Sequence, residues 1–161
     1  MKSFLKYWLP LLIWLGVIFV DSTSVMSAEH TSRYMVPSLL WLKPGLSPKA
    51  IWILLVVVRK CAHVTEYAVL ALLLWRALRS LPAFRAKTLM VFGAVLLGCA
   101  LFAASDEFHQ TFVKSRTPSV RDVLLDVTGA LLGLLIGTSF ARRHPKNFRA
   151  TTHNQVVDAQ L

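Results

Sequence analysis

Four long apolar runs organise the chain: Tyr7 to Val20, Ile51 to Leu78, Thr88 to Ala104 and Val123 to Phe140. Their lengths scatter around the ~20 residues a helix needs to cross a bilayer core. No period-two alternation is present, so the pattern predicts helices and not a barrel. The expected fold class is all-α, a polytopic membrane bundle of four transmembrane helices. An extra interfacial helix is expected in the first outer loop, where Pro37-Ser38-Leu39-Leu40-Trp41-Leu42 offers a tryptophan anchor. One stretch fits poorly, because a straight helix from Ala50 to Leu78 would be ~43 Å long, more than a bilayer core. The pattern leaves two readings of Ala50–Val58: part of a strongly tilted helix, or a separate interfacial segment capping the polar groups beneath it.

Polar residues stand where these runs should be apolar. One cluster reads Arg59-Lys60-Cys61-Ala62-His63-Val64-Thr65-Glu66-Tyr67, a second Asp106-Glu107-Phe108-His109-Gln110, and a third contains Arg116, Arg121, Asp122 and Asp126. Ionisable groups in or beside hydrocarbon are costly and by default suggest function. Helical rise places them at a common depth. Lys60 is ~28 Å and His63 ~24 Å from Arg79, and Asp106 is ~28 Å from Lys87. Asp122 and Asp126 are ~30 and ~24 Å from Arg142, and Asp21 is ~22 Å from Lys6. Independent helices therefore bring polar groups to one level.

Facing agrees with depth. Lys60, His63 and Tyr67 form a single helical stripe flanked by Glu66. Asp106, His109 and Gln110 share a face, as do Asp122 and Asp126, and Gly129, Gly133 and Gly137 continue that last face inward. A small-xxx-small run admits a neighbouring helix closely. The expectation is one site at the outer membrane surface, sunk slightly into the bundle.

Composition supports a membrane protein. Of 161 residues, 55% are hydrophobic and 16% charged, against about 25% charged in a soluble domain. The mean hydropathy is +0.56. The formal net charge of +10 could suggest nucleic acid. Its location argues otherwise: Arg76, Arg79, Arg85 and Lys87 share one short loop, and Arg142, Arg143, Lys146 and Arg149 follow the last run. That is a positive-inside pattern, with Lys2 and Lys6, the Arg76–Lys87 loop and the carboxy-terminal tail expected in the cytoplasm. No nucleic-acid partner is expected. The first run also resembles a signal peptide, with Val25-Met26-Ser27-Ala28 as a cleavage site; either way the amino terminus starts inside. Residues 1–145 are expected to form the transmembrane domain and 146–161 a disordered cytoplasmic tail. Cys61 and Cys99 form no CxxC pair and read as buried membrane thiols.

At these residues the chain resembles the VanZ-like family of small bacterial membrane proteins. The pattern is Lys60-x-x-His63-x-x-Glu66-Tyr67-x-x-Leu70, then Asp106-Glu107-x-His109-Gln110-x-Phe112, then Arg116-x-x-Ser119-x-x-Asp122 and Gly129, covering roughly residues 8 to 140. The chain departs from it at Asp126, where Asn is more usual, and at Lys114-Ser115, where Pro-Gly is common. The family is associated with glycopeptide resistance, notably to teicoplanin, which implies a context at the cell envelope and no particular reaction. It implies a multi-pass protein of the bacterial cytoplasmic (inner) membrane.

Three chemistries compete for the clusters. His63, Glu66, Asp106 and His109 supply two imidazoles and two carboxylates on i, i+3 pairs, as bundle metal sites do, but Lys60 would oppose a cation, so no metal ligands and no cofactor are assigned. In the second, Lys60, Arg116 and Arg121 clamp a phosphate or carboxylate of a lipid or cell-wall precursor. His63 or His109 is then the general acid or base, oriented by Glu66, Glu107 or Asp122. Asp106 belongs to this catalytic group, and Asp21, Tyr67, Gln110 and Asp126 complete the binding set. In the third, the same residues form a closed polar network that only fixes geometry. Enzyme and non-catalytic scaffold both remain open; a transporter is disfavoured because no polar path crosses the bundle. The expected partners are membrane lipids and a lipid-linked or cell-wall precursor, with oligomeric state unspecified.

Overall fold

The computed structural model describes residues 2–23, 28–112 and 119–143. Its elements are α1 (Lys2–Ser22), α2 (Ala28–Leu42), α3 (Pro48–Ser80), a 3₁₀ turn at Pro82–Phe84, α4 (Thr88–Gln110) and α5 (Val120–Arg143). All are helical, and among the described residues there is no strand. Each predicted run lies inside one helix. α1 over Phe4–Ser22 and α4 over Thr88–Gln110 are long and apolar enough to cross a membrane. The expected tail, residues 146–161, lies outside the described residues, as does the cleavage motif apart from Ala28.

Ala50–Val58 is neither a separate segment nor broken from the polar cluster after it. It is the first part of α3, a continuous helix of 33 residues, ~50 Å long at 1.5 Å per residue. The start is set locally. Ser47 is extended and its hydroxyl accepts from Ala50 N at 3.2 Å, with Pro48 in the first turn, where a missing N–H costs nothing. The turn before it uses Gly45 at φ +90°, open to glycine without strain. α2 holds the predicted interfacial stretch Pro37–Leu42 within a helix, with Trp41 exposed.

α3 is the central helix, packed on α1, α4 and α5. α4 turns Val91, Val95, Cys99 and Ala103 inward, one residue per turn. They meet Tyr67, Leu70 and Ala71 of α3, Ala130 and Leu134 of α5, and Leu11 and Ile18 of α1. Leu97 and Leu101 of α4 and Leu135 and Ile136 of α5 point outward, as lipid-facing residues would.

α3 and α5 run parallel, in a register fixed by glycine. A Cβ built on Gly129 would lie 2.9 Å from Val64 Cα, and one on Gly133 would lie 2.8 Å from Ala68 Cα. Gly137 faces Leu72 one turn further on. Real Cβ atoms do not approach so closely, so bare glycine lets the two backbones touch. At the opposite end of α3, Arg76 donates to Lys6 O at 2.8 Å and stacks over Tyr7, while Arg79 donates to Thr88 Oγ1 at 3.0 Å. One end of the bundle is therefore basic, joining the start of α1, the end of α3 and the start of α4.

Candidate functional site

The other end is where the acids gather. Asp21, Glu66, Asp106, Glu107, Asp122 and Asp126 are six of the chain's eight acidic residues, drawn from α1, α3, α4 and α5. The carboxylates of Asp21, Asp106 and Asp126 act electrostatically on Glu66, and those of Asp106, Asp122 and Asp126 act on Glu107. Groups that interact this way occupy one neighbourhood.

The glycine register builds the α3–α5 side. One turn beyond the Val64–Gly129 contact, His63 faces Asp126, with Nδ1 3.2 Å from Oδ1. One turn further, the Lys60 ammonium is ion-paired with the Asp122 carboxylate. His63 and Asp126 are 5% and 1% exposed. Their contact is close enough for an ion pair, yet the geometry falls short of a hydrogen bond, and both imidazole nitrogens and both carboxylate oxygens are left without one.

α4 supplies the second wall by extending its apolar stripe upward. After Val95, Cys99 and Ala103 the inward positions become Asp106, Glu107 and Gln110, all buried. Gln110 Nε2 donates to Asp106 Oδ2 at 3.0 Å, one turn apart. The Glu107 carboxylate accepts from Ser119 N at 2.7 Å. Ser119 stands immediately before α5, and its carbonyl receives Asp122 N at 2.8 Å. An acid at this positive helix end is well placed, and it fastens α5 to the end of α4.

Two expected site residues lie toward α1. His109 is half-buried on the side of α4 turned to α1, its ring 5.1 Å from that of Phe19. Asp21 is half-buried on α1 and reaches Glu66 through charge. Arg116 lies outside the described residues. Tyr67 sits at the floor, fully buried against Phe102, its hydroxyl without a hydrogen-bond partner. The Glu66 Oε2 atom is also buried and unpartnered. Arg121 is exposed at the rim. Among the described residues, no three His, Cys, Asp or Glu side chains are placed to hold a metal ion together.

Two contributors escape a residue-by-residue reading. Trp14 of α1 donates its indole N–H to Glu66 O at 2.9 Å, joining α1 to the site through a backbone carbonyl that no sequence pattern flags. Ser119 had a signal, a serine just before a helical run, but the carboxylate it meets comes from another helix.

The class defined by this fold is an all-α membrane protein with buried polar residues gathered at one end of its helical bundle. The particular family follows from comparison: the VanZ/LLP1 family model matches residues 7–141, and the chain belongs to that family. No curated protein and no solved structure gives a significant match.

Proposed function

We propose that this VanZ-like protein acts at the bacterial cell envelope, where its polar site recognises a lipid-linked or cell-wall anionic group, and that it contributes in this way to glycopeptide resistance. In this reading α1, α3, α4 and α5 all cross the cytoplasmic membrane. The basic end lies in the cytoplasm with both termini, as positive-inside asymmetry requires, and the acidic end lies at the outer level.

The observation that carries the reading is a set of buried polar atoms without a hydrogen bond: both His63 nitrogens, Glu66 Oε2, the Tyr67 hydroxyl and both Asp126 oxygens, His63 and Asp126 being in ion-pair contact at 3.2 Å. A closed structural network satisfies its own members, because each buried orphan costs about 1–3 kcal/mol. Buried polar groups that the fold leaves without hydrogen bonds are what a ligand would satisfy. Lys60 and Arg121, with Arg116 as a further cation, would hold the anionic part. His63, oriented by Asp126, would be the acid or base of an enzymatic reaction.

A second reading, a non-catalytic scaffold, is favoured by the pairs that are satisfied: Lys60 with Asp122, Gln110 with Asp106, and Glu107 with Ser119. Substitution separates the two. His63→Ala, Glu66→Gln and Asp106→Asn, each expressed at the level of the parent chain, abolish teicoplanin resistance if the site is catalytic. A scaffold tolerates the isosteric Glu66→Gln. Full resistance in all three variants would remove the site from the function altogether.

A further inference from the structure

We propose that the basic end of the bundle seats an anionic phospholipid of the adjoining leaflet, with its phosphate on Arg79, Arg85 and Lys87 and an acyl chain along the outward side of α4. This seat lies at the opposite end of the molecule from the polar site. It takes from the function proposed above only that α3 and α4 cross the membrane.

Positive charge at this end has no counterpart in the helices that form it. Asp and Glu are absent from α1 before Asp21, from α3 after Glu66, from α4 before Asp106, from α5 after Asp126 and from the connection Leu81 to Lys87. The engaged arginines meet neutral groups. Arg76 is held by the Lys6 carbonyl and the Tyr7 ring, and Arg79 by the Thr88 hydroxyl and the Trp75 ring. Arg85 and Lys87 have no side-chain partner among the described residues. A membrane-level cluster of uncompensated cations attracts anionic headgroups.

The backbone holds these cations in one place. Arg79 reaches from α3 to the first residue of α4, where it donates to Thr88 Oγ1 at 3.0 Å. That bond occupies one of the five guanidinium N–H donors. Lys87 immediately precedes Thr88 in the chain. The turn between the helices is closed by Leu81 N to Leu78 O at 3.0 Å, Phe84 N to Leu81 O at 3.1 Å and Lys87 N to Phe84 O at 3.2 Å. Phe84 packs on the core, and half-buried Arg85 follows it. A planar guanidinium offers paired N–H groups to phosphate oxygens, and a lysine adds a point charge.

The lipid half follows from α4. Leu89 and Met90, next in the chain after Thr88, are 84% and 54% exposed. Met90, Gly93, Leu97 and Leu101 recur at i, i+3, i+7 and i+11, which is one side of a helix, and all four are exposed. A Cβ on Gly93 would meet nothing within 4 Å, so this side is open there. From Thr88 to Leu101 it runs ~20 Å, starting at the cations and entering the hydrocarbon that α4 is long and apolar enough to cross. A zwitterionic headgroup would bring an ammonium against the cations. A soluble phosphate would leave the apolar side unused.

Native mass spectrometry of the purified full-length protein tests this, with equimolar dioleoyl phosphatidylglycerol, phosphatidylcholine and phosphatidylethanolamine as probes. The glycerol lipid should be retained about tenfold over either zwitterionic lipid, the ratio expected of a charged hydrogen bond. Arg79→Gln, and separately the pair Arg85→Gln and Lys87→Gln, should each remove most of that preference. Arg121→Gln, at the acidic end, should keep it. Thermal unfolding checks that each variant folds; the Arg85 and Lys87 pair loses no partner and decides the matter if Arg79→Gln does not fold. Equal retention of the three lipids by the parent chain, or a preference that survives both basic-end changes, would overturn the seat. A preference lost in Arg121→Gln and kept in the basic-end variants would also overturn it, and would place the anionic lipid in the site proposed above. A preference that behaves as expected, alongside full resistance in the His63, Glu66 and Asp106 variants, would overturn only the function proposed above. Soluble glycerophosphoglycerol should compete weakly; competition equal to that of the lipid would overturn the assignment to a membrane lipid.

Discussion

At the scale of single residues, the site divides into groups that satisfy one another and groups that do not, and the two kinds respond differently to substitution. Tyr67 is a buried hydroxyl with no partner. Removing an unsatisfied buried polar atom is neutral or stabilising. Tyr67→Phe should therefore leave the unfolding free energy unchanged or raise it, by up to about 1 kcal/mol, and should lower ligand retention or resistance if the hydroxyl meets a ligand. A destabilised Tyr67→Phe would show that the hydroxyl is structural. Lys60 and Asp122 are the opposite case, a half-exposed cation on a mostly buried carboxylate. A double-mutant cycle with Lys60→Met and Asp122→Asn should give a coupling of about 1 kcal/mol in detergent. Strict additivity would mean that the pair contributes nothing. These roles were only partly legible. The Gln110–Asp106 pair is an i, i+4 contact that the sequence spells out. The His63–Asp126 contact joins two helices and could be anticipated only as a shared level.

At the scale of helices, the α3–α5 interface sets the geometry of the site, and three glycines set the interface. Substituting Gly133 with valine would place a Cβ where Ala68 Cα already sits at 2.8 Å. The helices would have to part, at a cost of at least about 2 kcal/mol, and the Lys60–Asp122 and His63–Asp126 contacts above would separate with them. Gly93→Ala is the control, since a Cβ there meets nothing within 4 Å. It should stabilise α4 by up to about 1 kcal/mol through helix propensity alone. Thermal unfolding of the two variants checks both signs; a tolerated Gly133→Val would sink the account of the register. The small-xxx-small face was visible in the sequence. Its partner was not, because any helix with a smooth surface could have filled the groove. The length of α3 was likewise ambiguous: apolar Ala50–Val58 fits a separate segment as well as a continuation. A capping serine and a proline in the first turn resolve it in favour of one helix.

At the scale of the whole molecule, the two ends are chemically opposite, and that polarity makes the proposed orientation testable. With Cys61 and Cys99 replaced by alanine, Gly45→Cys should react with a membrane-impermeant maleimide added outside intact cells. Ala86→Cys, in the basic loop, should react only after the membrane is opened. The reverse pattern would invert the proposed topology, and labelling of both from outside would rule out a crossing between them. The sequence by itself determined the all-α class, the positions of the four apolar runs, the stripe each presents and the gathering of polar groups at one level. These follow from rise, periodicity and hydropathy, which are local properties of a chain. Only the tertiary structure decided which groups meet: His63 with Asp126, Glu107 with the start of α5, Trp14 with a carbonyl of α3, and His109 turned toward α1. Contacts between helices depend on how surfaces interlock at close range. That interlocking rests here on the absence of three side chains on α5, which no stripe or spacing can convert into a partner.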